Sequence, residues 1–359
     1  MIKILIILPS LENKGPEIVA RDIGIFSINK KIKYIYLSLR KNKKEDLENF
    51  KNFEVYEFEG KKIPIFDKRI KQLIKKINPT VIHCHCFWPT ILAGIFLRKY
   101  KIVTTLHNNP LEDYTYEYGK KIGYFMTCIM LYFQKKFNMN IAISKYVEEV
   151  HLKLGIDSSK IITIYNGIDN IKYRNIENEK LEVINFITVS VLNERKNVEF
   201  LVNVIYKLYY EENIKNIKFK IIGNGPFYNK ILNKITELKL ENVINLCGNI
   251  KREEVYNLLK QSDIFLFSSK SEGFGLSVVE ALKIGLPVIT SNIPVMNEII
   301  KNGYNGYICE NNVDDYIEKI KIILENYNFF LEETRRNFNE NYLAEKMSIN
   351  YEKIYVELR

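Results

Sequence analysis

Short apolar runs alternate with helix-length amphipathic segments along almost the whole chain, and this alternation restricts the fold more than any other feature of the sequence. In the first half the apolar runs are Ile2–Leu8, Lys33–Leu37, Phe53–Phe58, Val81–His83, Ile102–Leu106, Asn140–Ile143 and Ile161–Ile164. Between them lie helical patterns such as Pro16–Ser27, Lys68–Ile77 and Lys145–Leu154. In the second half the runs are Ile184–Val189, Phe219–Ile222, Val243–Leu246, Ile264–Phe267, Pro287–Thr290 and Gly306–Ile308. Continuous apolar strands separated by amphipathic helices predict a parallel sheet covered by helices on both faces.

The pattern restarts after a polar, charge-rich stretch at Asp169–Glu182, which reads as an interdomain linker. A chain of 359 residues is long for a single core. The expectation is an α/β protein of two Rossmann-like doubly wound domains, residues 1–170 and 171–341, facing a central cleft that would be the ligand site. Residues 342–359 are expected to form a helix that packs back on the N-terminal domain.

The apolar N-terminal run is too short for a signal-peptide core, and Gly123–Phe133 is far below the roughly 20 residues needed to span a bilayer. A cytoplasmic protein with reduced cysteines, placed at the inner face of the cell membrane, is expected. The net charge of +10 is uneven, because residues 1–170 carry 28 Lys and Arg against 17 Asp and Glu. A basic half suits an anionic lipid surface or a phosphorylated acceptor, and it also fits an ordinary solvated surface. No nucleic-acid motif accompanies the charge.

The stretch Ser268–Thr290 carries the most chemistry. It reads as strand end, glycine-containing loop, helix beginning near Leu276, tight turn and strand. Gly273 and Gly275 let the backbone approach a ligand, and the amides of a helix start face an anion such as diphosphate. Glu272 and Glu280 are separated by seven residues, so two carboxylates can hold hydroxyls at two ends of an elongated ligand. Taken singly, each Glu also reads as solvated or as favoured by the helix dipole.

Together, Glu272-Gly-Phe-Gly, Glu280-Ala and Gly285-Leu-Pro-Val-Ile resemble the signature of glycosyltransferase family 4, the retaining GT-B enzymes. Tyr165-Asn-Gly-Ile-Asp169, Ile222-Gly-Asn-Gly-Pro226, Ile141-Ala-Ile-Ser-Lys145, Pro294–Ile300 and Asn305-Gly306 extend the resemblance along the chain in the family's order. The resemblance implies a GT-B fold and transfer of a sugar from a nucleotide diphosphate donor, with retention, to a glycan, polyprenyl-linked or lipid acceptor. It also implies no cofactor and no catalytic metal.

Carried over by residue, Glu272 would hold donor-sugar hydroxyls and Glu280 the ribose. The backbone of Gly273, Phe274, Gly275, Leu276 and Ser277 would hold sugar and phosphate oxygens. Lys196, with Arg195, would neutralise the leaving diphosphate. Gly15 resembles the family's glycine loop after the first strand, although Lys14-Gly-Pro16 also reads as a plain strand-to-helix turn with Pro16 at the first helical position. His107 resembles the family's histidine near the donor sugar, and by itself a histidine at a strand end reads as structural. One departure stands out: Val191 occupies the place where many family members have a phosphate-binding Arg.

Other signals carry less. His83-Cys-His-Cys86 invites a metal reading, but successive residues of an extended segment point to opposite faces, so His83 and His85 would face away from Cys84 and Cys86 and four ligands would not converge. His85, at the strand's end, would line the acceptor side. Gly223-Asn-Gly225 lacks the third glycine of a dinucleotide fingerprint, which argues against a dehydrogenase. The aromatic segment Tyr114–Phe133 reads either as a core helix or as one that dips into lipid. The rival functions are a non-catalytic glycosyltransferase-like binding subunit, supported by Val191, and a sugar-nucleotide epimerase of the same fold. Assembly of surface polysaccharide or glycolipid is the expected setting.

Overall fold

The computed structural model describes residues 1–58, 65–174 and 182–359. Residues 59–64, which include Lys61 and Lys62 of the basic first half, and the linker residues 175–181 lie outside this description. The chain divides into two compact units, Met1–Asp169 with Glu340–Arg359, and Asn170–Asn339.

The first unit contains a seven-stranded sheet built from β1 (Ile2–Leu8), β2 (Ile32–Ser38), β3 (Glu54–Glu57), β4 (Val81–His85), β5 (Lys101–Leu106), β6 (Met139–Ala142) and β7 (Ile161–Thr163). All pairings are parallel, in the order β3-β2-β1-β4-β5-β6-β7. The central strand β1 is enclosed on both faces, with Ile4 through Leu8 fully buried. That is why its sequence is continuously apolar rather than alternating. The strand order reverses between β1 and β4, and a doubly wound sheet binds ligands at the strand ends beside such a reversal.

The last helix, Ala344–Glu357, belongs to this unit. Tyr355 and Tyr351 reach the sheet through His83 and Thr105, with contacts of 2.7, 2.8 and 3.0 Å. Glu352 accepts from the Ile28 and Asn29 amides at 3.0 and 3.1 Å. The Asn166–Asp169 turn hydrogen-bonds the same segment, with Ile168 N donating to Tyr342 O and Ala344 N donating back to Ile168 O.

The second unit repeats the plan with β8 (Ile184–Val189), β9 (Ile217–Ile222), β10 (Ile244–Gly248), β11 (Ile264–Phe267), β12 (Val288–Ser291) and β13 (Gly306–Cys309). The order is β10-β9-β8-β11-β12-β13, again all parallel, with the reversal between β8 and β11.

The strands lie within a few residues of their expected bounds, but two helix readings need correction. Tyr114–Phe133 is not a single segment. It is a hairpin of two helices, Pro110–Tyr118 and Lys120–Gln134, broken at Gly119, whose φ of 81° does not continue a helix. The first helix begins at Gly15, so Pro16 is its second residue rather than its first. Proline fits there too, because the first turn's amides have no helical partner.

Candidate active site

In the second unit, two loops at the β8–β11 reversal hold the polar cluster. The loop after β8 is pinned to the loop after β11. Lys270 N donates to Arg195 O at 2.8 Å, and Ser268 Oγ donates to the carbonyls of Lys196 and Asn197 at 3.0 Å each. Lys196 N donates to Asn193 Oδ1 at 3.0 Å, closing the loop on itself.

The side chains then converge. The Lys196 ammonium hydrogen-bonds Glu272 Oε1. Arg195 Nη1 donates to Ser271 O at 2.7 Å and lies 3.5 Å from Glu272 Oε2. Glu272 is buried. Burial pushes its carboxyl up, but the Lys196 and Arg195 charges outweigh that and hold it below the usual carboxylate value. Glu272 is therefore an ionised acceptor, suited to sugar hydroxyls.

The helix Leu276–Ile284 starts four residues beyond Glu272, and no side chain caps its first turn. Its N-cap, Gly275, has φ of 100°, a conformation that disfavours any residue with a Cβ. The uncapped amides and the helix dipole make this turn an anion site. Phe274 is buried, so only its backbone can serve a ligand, while Leu276 and Ser277 are partly open. Glu280, one turn along, accepts from Arg252 Nη2 at 3.2 Å and from the Tyr256 hydroxyl at 3.1 Å.

Gly223 and Gly225 follow β9 and pack on the loop after β8. A Cβ on Gly223, at φ of 129°, would stand 1.8 Å from Ser190 O, so this glycine is required by close backbone packing. Val191 lies in the facing segment and is 54% exposed, where it supplies no charge.

In the first unit, Gly15 opens the helix Gly15–Ile25, and the space where its Cβ would stand is empty. His85 Nδ1 lies 2.9 Å from His107 Nε2. Burial depresses both rings, His107 to about 3, so the pair is neutral near pH 7. His85 Nε2 is buried and has no partner among the described residues. An orphaned lone pair is better tolerated than an orphaned N–H. This assigns the shared proton to His85 Nδ1, and leaves His107 with an N–H on Nδ1 to offer a ligand. His107 lines a pocket of about 290 Å³, together with Arg40, Trp88, Tyr118, Gln134 and His151.

The motif His83-Cys-His-Cys86 is taken up by structure. His83 and His85 lie on one face with ring centroids 4.3 Å apart and planes inclined by 45°, while Cys84 is buried in the apolar core on the other. Ser144, part of the Ile141–Lys145 motif, caps the next helix by accepting from Val147 N at 3.1 Å.

Three residues of these sites were not singled out in the sequence. Arg252 and Tyr256, which hold Glu280, lie on a surface helix whose charges read as solvated. Glu17, in the first turn after Gly15, reads as a residue favoured by the helix dipole. It is buried instead, with its carboxyl pushed up to about 7 by that burial.

Comparison with known proteins places this geometry. The sequence matches Glycosyltransferase Family 4 over residues 35–170 and Glycosyl transferases group 1 over residues 169–344. It is 28% identical over 305 residues to the O-antigen biosynthesis glycosyltransferase WclY of Escherichia coli, covering 80% of this chain and 82% of that one. It is 27% identical over 264 residues to the UDP-Gal:alpha-D-GlcNAc-diphosphoundecaprenol alpha-1,3-galactosyltransferase of the same species, covering 69% and 67%. The fold matches Anabaena Alr3699/HepE in complex with UDP and glucose, with a TM-score of 0.84 at 16% identity over 99% of this chain and 100% of that one. With both sheets, their switch-point loops and both halves of the sequence in agreement, the chain belongs to the family 4, group 1 glycosyltransferases and has the GT-B fold.

Proposed function

We propose that this glycosyltransferase takes a sugar from a nucleotide diphosphate donor, with retention of anomeric configuration, and passes it to a lipid-linked glycan in surface polysaccharide assembly. The observation that carries the reading is the convergence of Lys196 and Arg195 on Glu272 beside the uncapped start of the helix Leu276–Ile284. One part of this cluster accepts hydroxyls and the other attracts phosphate oxygens.

In this reading Glu272 accepts from the donor sugar's hydroxyls and Glu280 from the ribose. The diphosphate draws Lys196 away from Glu272 and lies against the amides of Gly275, Leu276 and Ser277. As the bond from C1 to the leaving oxygen breaks, Lys196 and Arg195 stabilise the developing charge. The acceptor hydroxyl enters on the same face, forms the new bond to C1, and gives its proton to the departing diphosphate oxygen. His107 offers its Nδ1 proton to the donor sugar, and Gly15 leaves room for the ligand's approach. The first unit is read as the acceptor side and the second as the nucleotide-sugar side.

The acceptor class rests on the relatives. One acts in O-antigen biosynthesis, and the name of another specifies a diphosphoundecaprenol acceptor. A uridine nucleotide is favoured because the HepE structure holds UDP and glucose.

The test is transfer from a panel of UDP- and GDP-sugars to a polyprenyl diphosphate glycan, with the product's anomeric configuration read by NMR. Retained product from one donor is expected. An inverted product, or no binding of any nucleotide sugar by calorimetry, overturns the proposal.

A further inference from the structure

The outer face of the helix Lys120–Gln134 is unusual for a protein surface. Phe125 is 64% exposed, Tyr124 63%, Ile122 56% and Tyr132 54%, and Cys128 is exposed beside them. Phe125, Cys128 and Tyr132 recur at helical spacing and form one stripe, with Ile122 at its edge. Lys120 and Lys121 stand at one end and Lys135 and Lys136 just past the other, all exposed. Lys136 lies 3.5 Å from the Tyr132 ring centroid. No Asp or Glu occurs between Glu117 and Glu148. The hairpin's other helix adds Tyr116 and Tyr118, both about half exposed.

We propose that this face docks on an anionic lipid bilayer, with the apolar stripe in the headgroup boundary and the four lysines on lipid phosphates. Tyrosines and lysines around an apolar stripe match the interfacial zone of a membrane, where amphipathic side chains bury their apolar parts and keep polar tips wet. Charge complementarity decides the occupant. A second copy on the same face would bring two sets of four lysines together, and like charges oppose that contact. An anionic leaflet attracts them. The opposite side of the hairpin contributes Tyr114, Met126, Met130 and Gln134 to the pocket that His107 lines, and Glu117 and Tyr118 reach the same pocket from beside the Gly119 turn. A headgroup-linked acceptor arriving from the leaflet would therefore meet that pocket directly behind the docking face. This last step rests on the proposed acceptor class, whereas the docking itself does not.

The full chain is sedimented with vesicles of phosphatidylcholine alone and of phosphatidylcholine mixed with phosphatidylglycerol, without donor. Binding to the anionic vesicles is expected. Lys120→Ala with Lys121→Ala should weaken it roughly 25-fold, since each lysine near an anionic leaflet is worth roughly fivefold. Ile122→Ser with Phe125→Ser should weaken it at least as much. Unchanged thermal unfolding and far-UV circular dichroism show that the variants are folded. Failure of the wild type to bind anionic vesicles, or serine variants that bind as well as it does, overturns the proposal. So does a wild-type dimer in solution that the serine variants abolish while vesicles go unbound. Because no turnover is measured, these outcomes are independent of whether the donor and acceptor assignments hold.

Discussion

Lys196 and Glu272 form an ion pair across two loops that meet at the strand reversal of the second unit, and the pair is largely withdrawn from solvent. Each residue is the other's main charge partner, so removing Glu272 leaves the Lys196 ammonium without its carboxylate, and removing Lys196 leaves Glu272 only the more distant Arg195, at 3.5 Å. Glu272→Gln keeps the shape and a hydrogen-bonding side chain but loses the negative charge. It should lower kcat by at least a hundredfold, the scale of losing one electrostatic contact in a transition state. Lys196→Ala should lower kcat comparably and also destabilise the unit by about 3 kcal/mol. Calorimetric unfolding alongside steady-state rates separates the two effects. Near-normal transfer in both variants would remove this cluster from the catalytic assignment.

Arg252 and Tyr256 hold the Glu280 carboxylate rather than any substrate atom. If Glu280 grips the ribose, its orientation matters to binding more than to bond breaking. Arg252→Ala should therefore raise the donor KM and the Kd for the free nucleoside diphosphate about tenfold, with kcat changed much less. Tyr256→Phe should act in the same direction and more weakly. Calorimetry with UDP and GDP checks both. An Arg252→Ala variant that loses kcat at unchanged KM would place Glu280 at the reacting centre instead.

Much of this was legible in the sequence because parallel sheets buried on both faces are written as continuous apolar runs. The strand, glycine loop and helix that carry Glu272 and Glu280 were legible because a glycine loop between an apolar run and an amphipathic one has few other readings. What escaped was set by tertiary contact. Gly119 breaks the aromatic segment into a hairpin, but a lone glycine inside a helical pattern is compatible with continuation. Arg252 and Tyr256 become site residues only when their helix is placed beside Glu280. His83 and His85 were placed on one face by strand periodicity, but their partners Tyr355 and His107 come from distant segments.

All four histidines lie in the first unit, and burial depresses each of them. His83 and His107 fall to about 3 and His151 to about 4, below an ordinary value of 6.5. Above pH 6.5 neither state binds the protons and no stability is lost. As pH falls below 6.5, the unfolded chain takes up protons that the folded unit refuses, so stability drops by roughly 1.4 kcal/mol per pH unit for each such histidine. The first unit should therefore unfold between pH 6 and 4 while the second, which has no histidine, persists. Limited proteolysis across this range, with fragments mapped to residues 1–169 and 170–339, checks it. Simultaneous loss of both units would contradict the assignment.

Glu17 works in the opposite direction. Its carboxyl is buried in the first turn of the helix Gly15–Ile25, and Ser10 donates to it at 3.3 Å. Burial outweighs the nearby Lys14 charge and raises it to about 7 from an ordinary 4.5. Below pH 4.5 both states hold the proton and nothing is lost. Between 4.5 and about 7 the unfolded chain releases a proton that the folded unit keeps, so this residue's contribution falls as pH rises. Glu17→Gln removes the titration while keeping the size, and should stabilise the protein by up to about 3 kcal/mol at pH 8 and by almost nothing at pH 4. Denaturant melts of both proteins at these two pH values read the difference directly. A gain of equal size at both pH values would mean that packing, not the buried carboxyl's proton, accounts for the change.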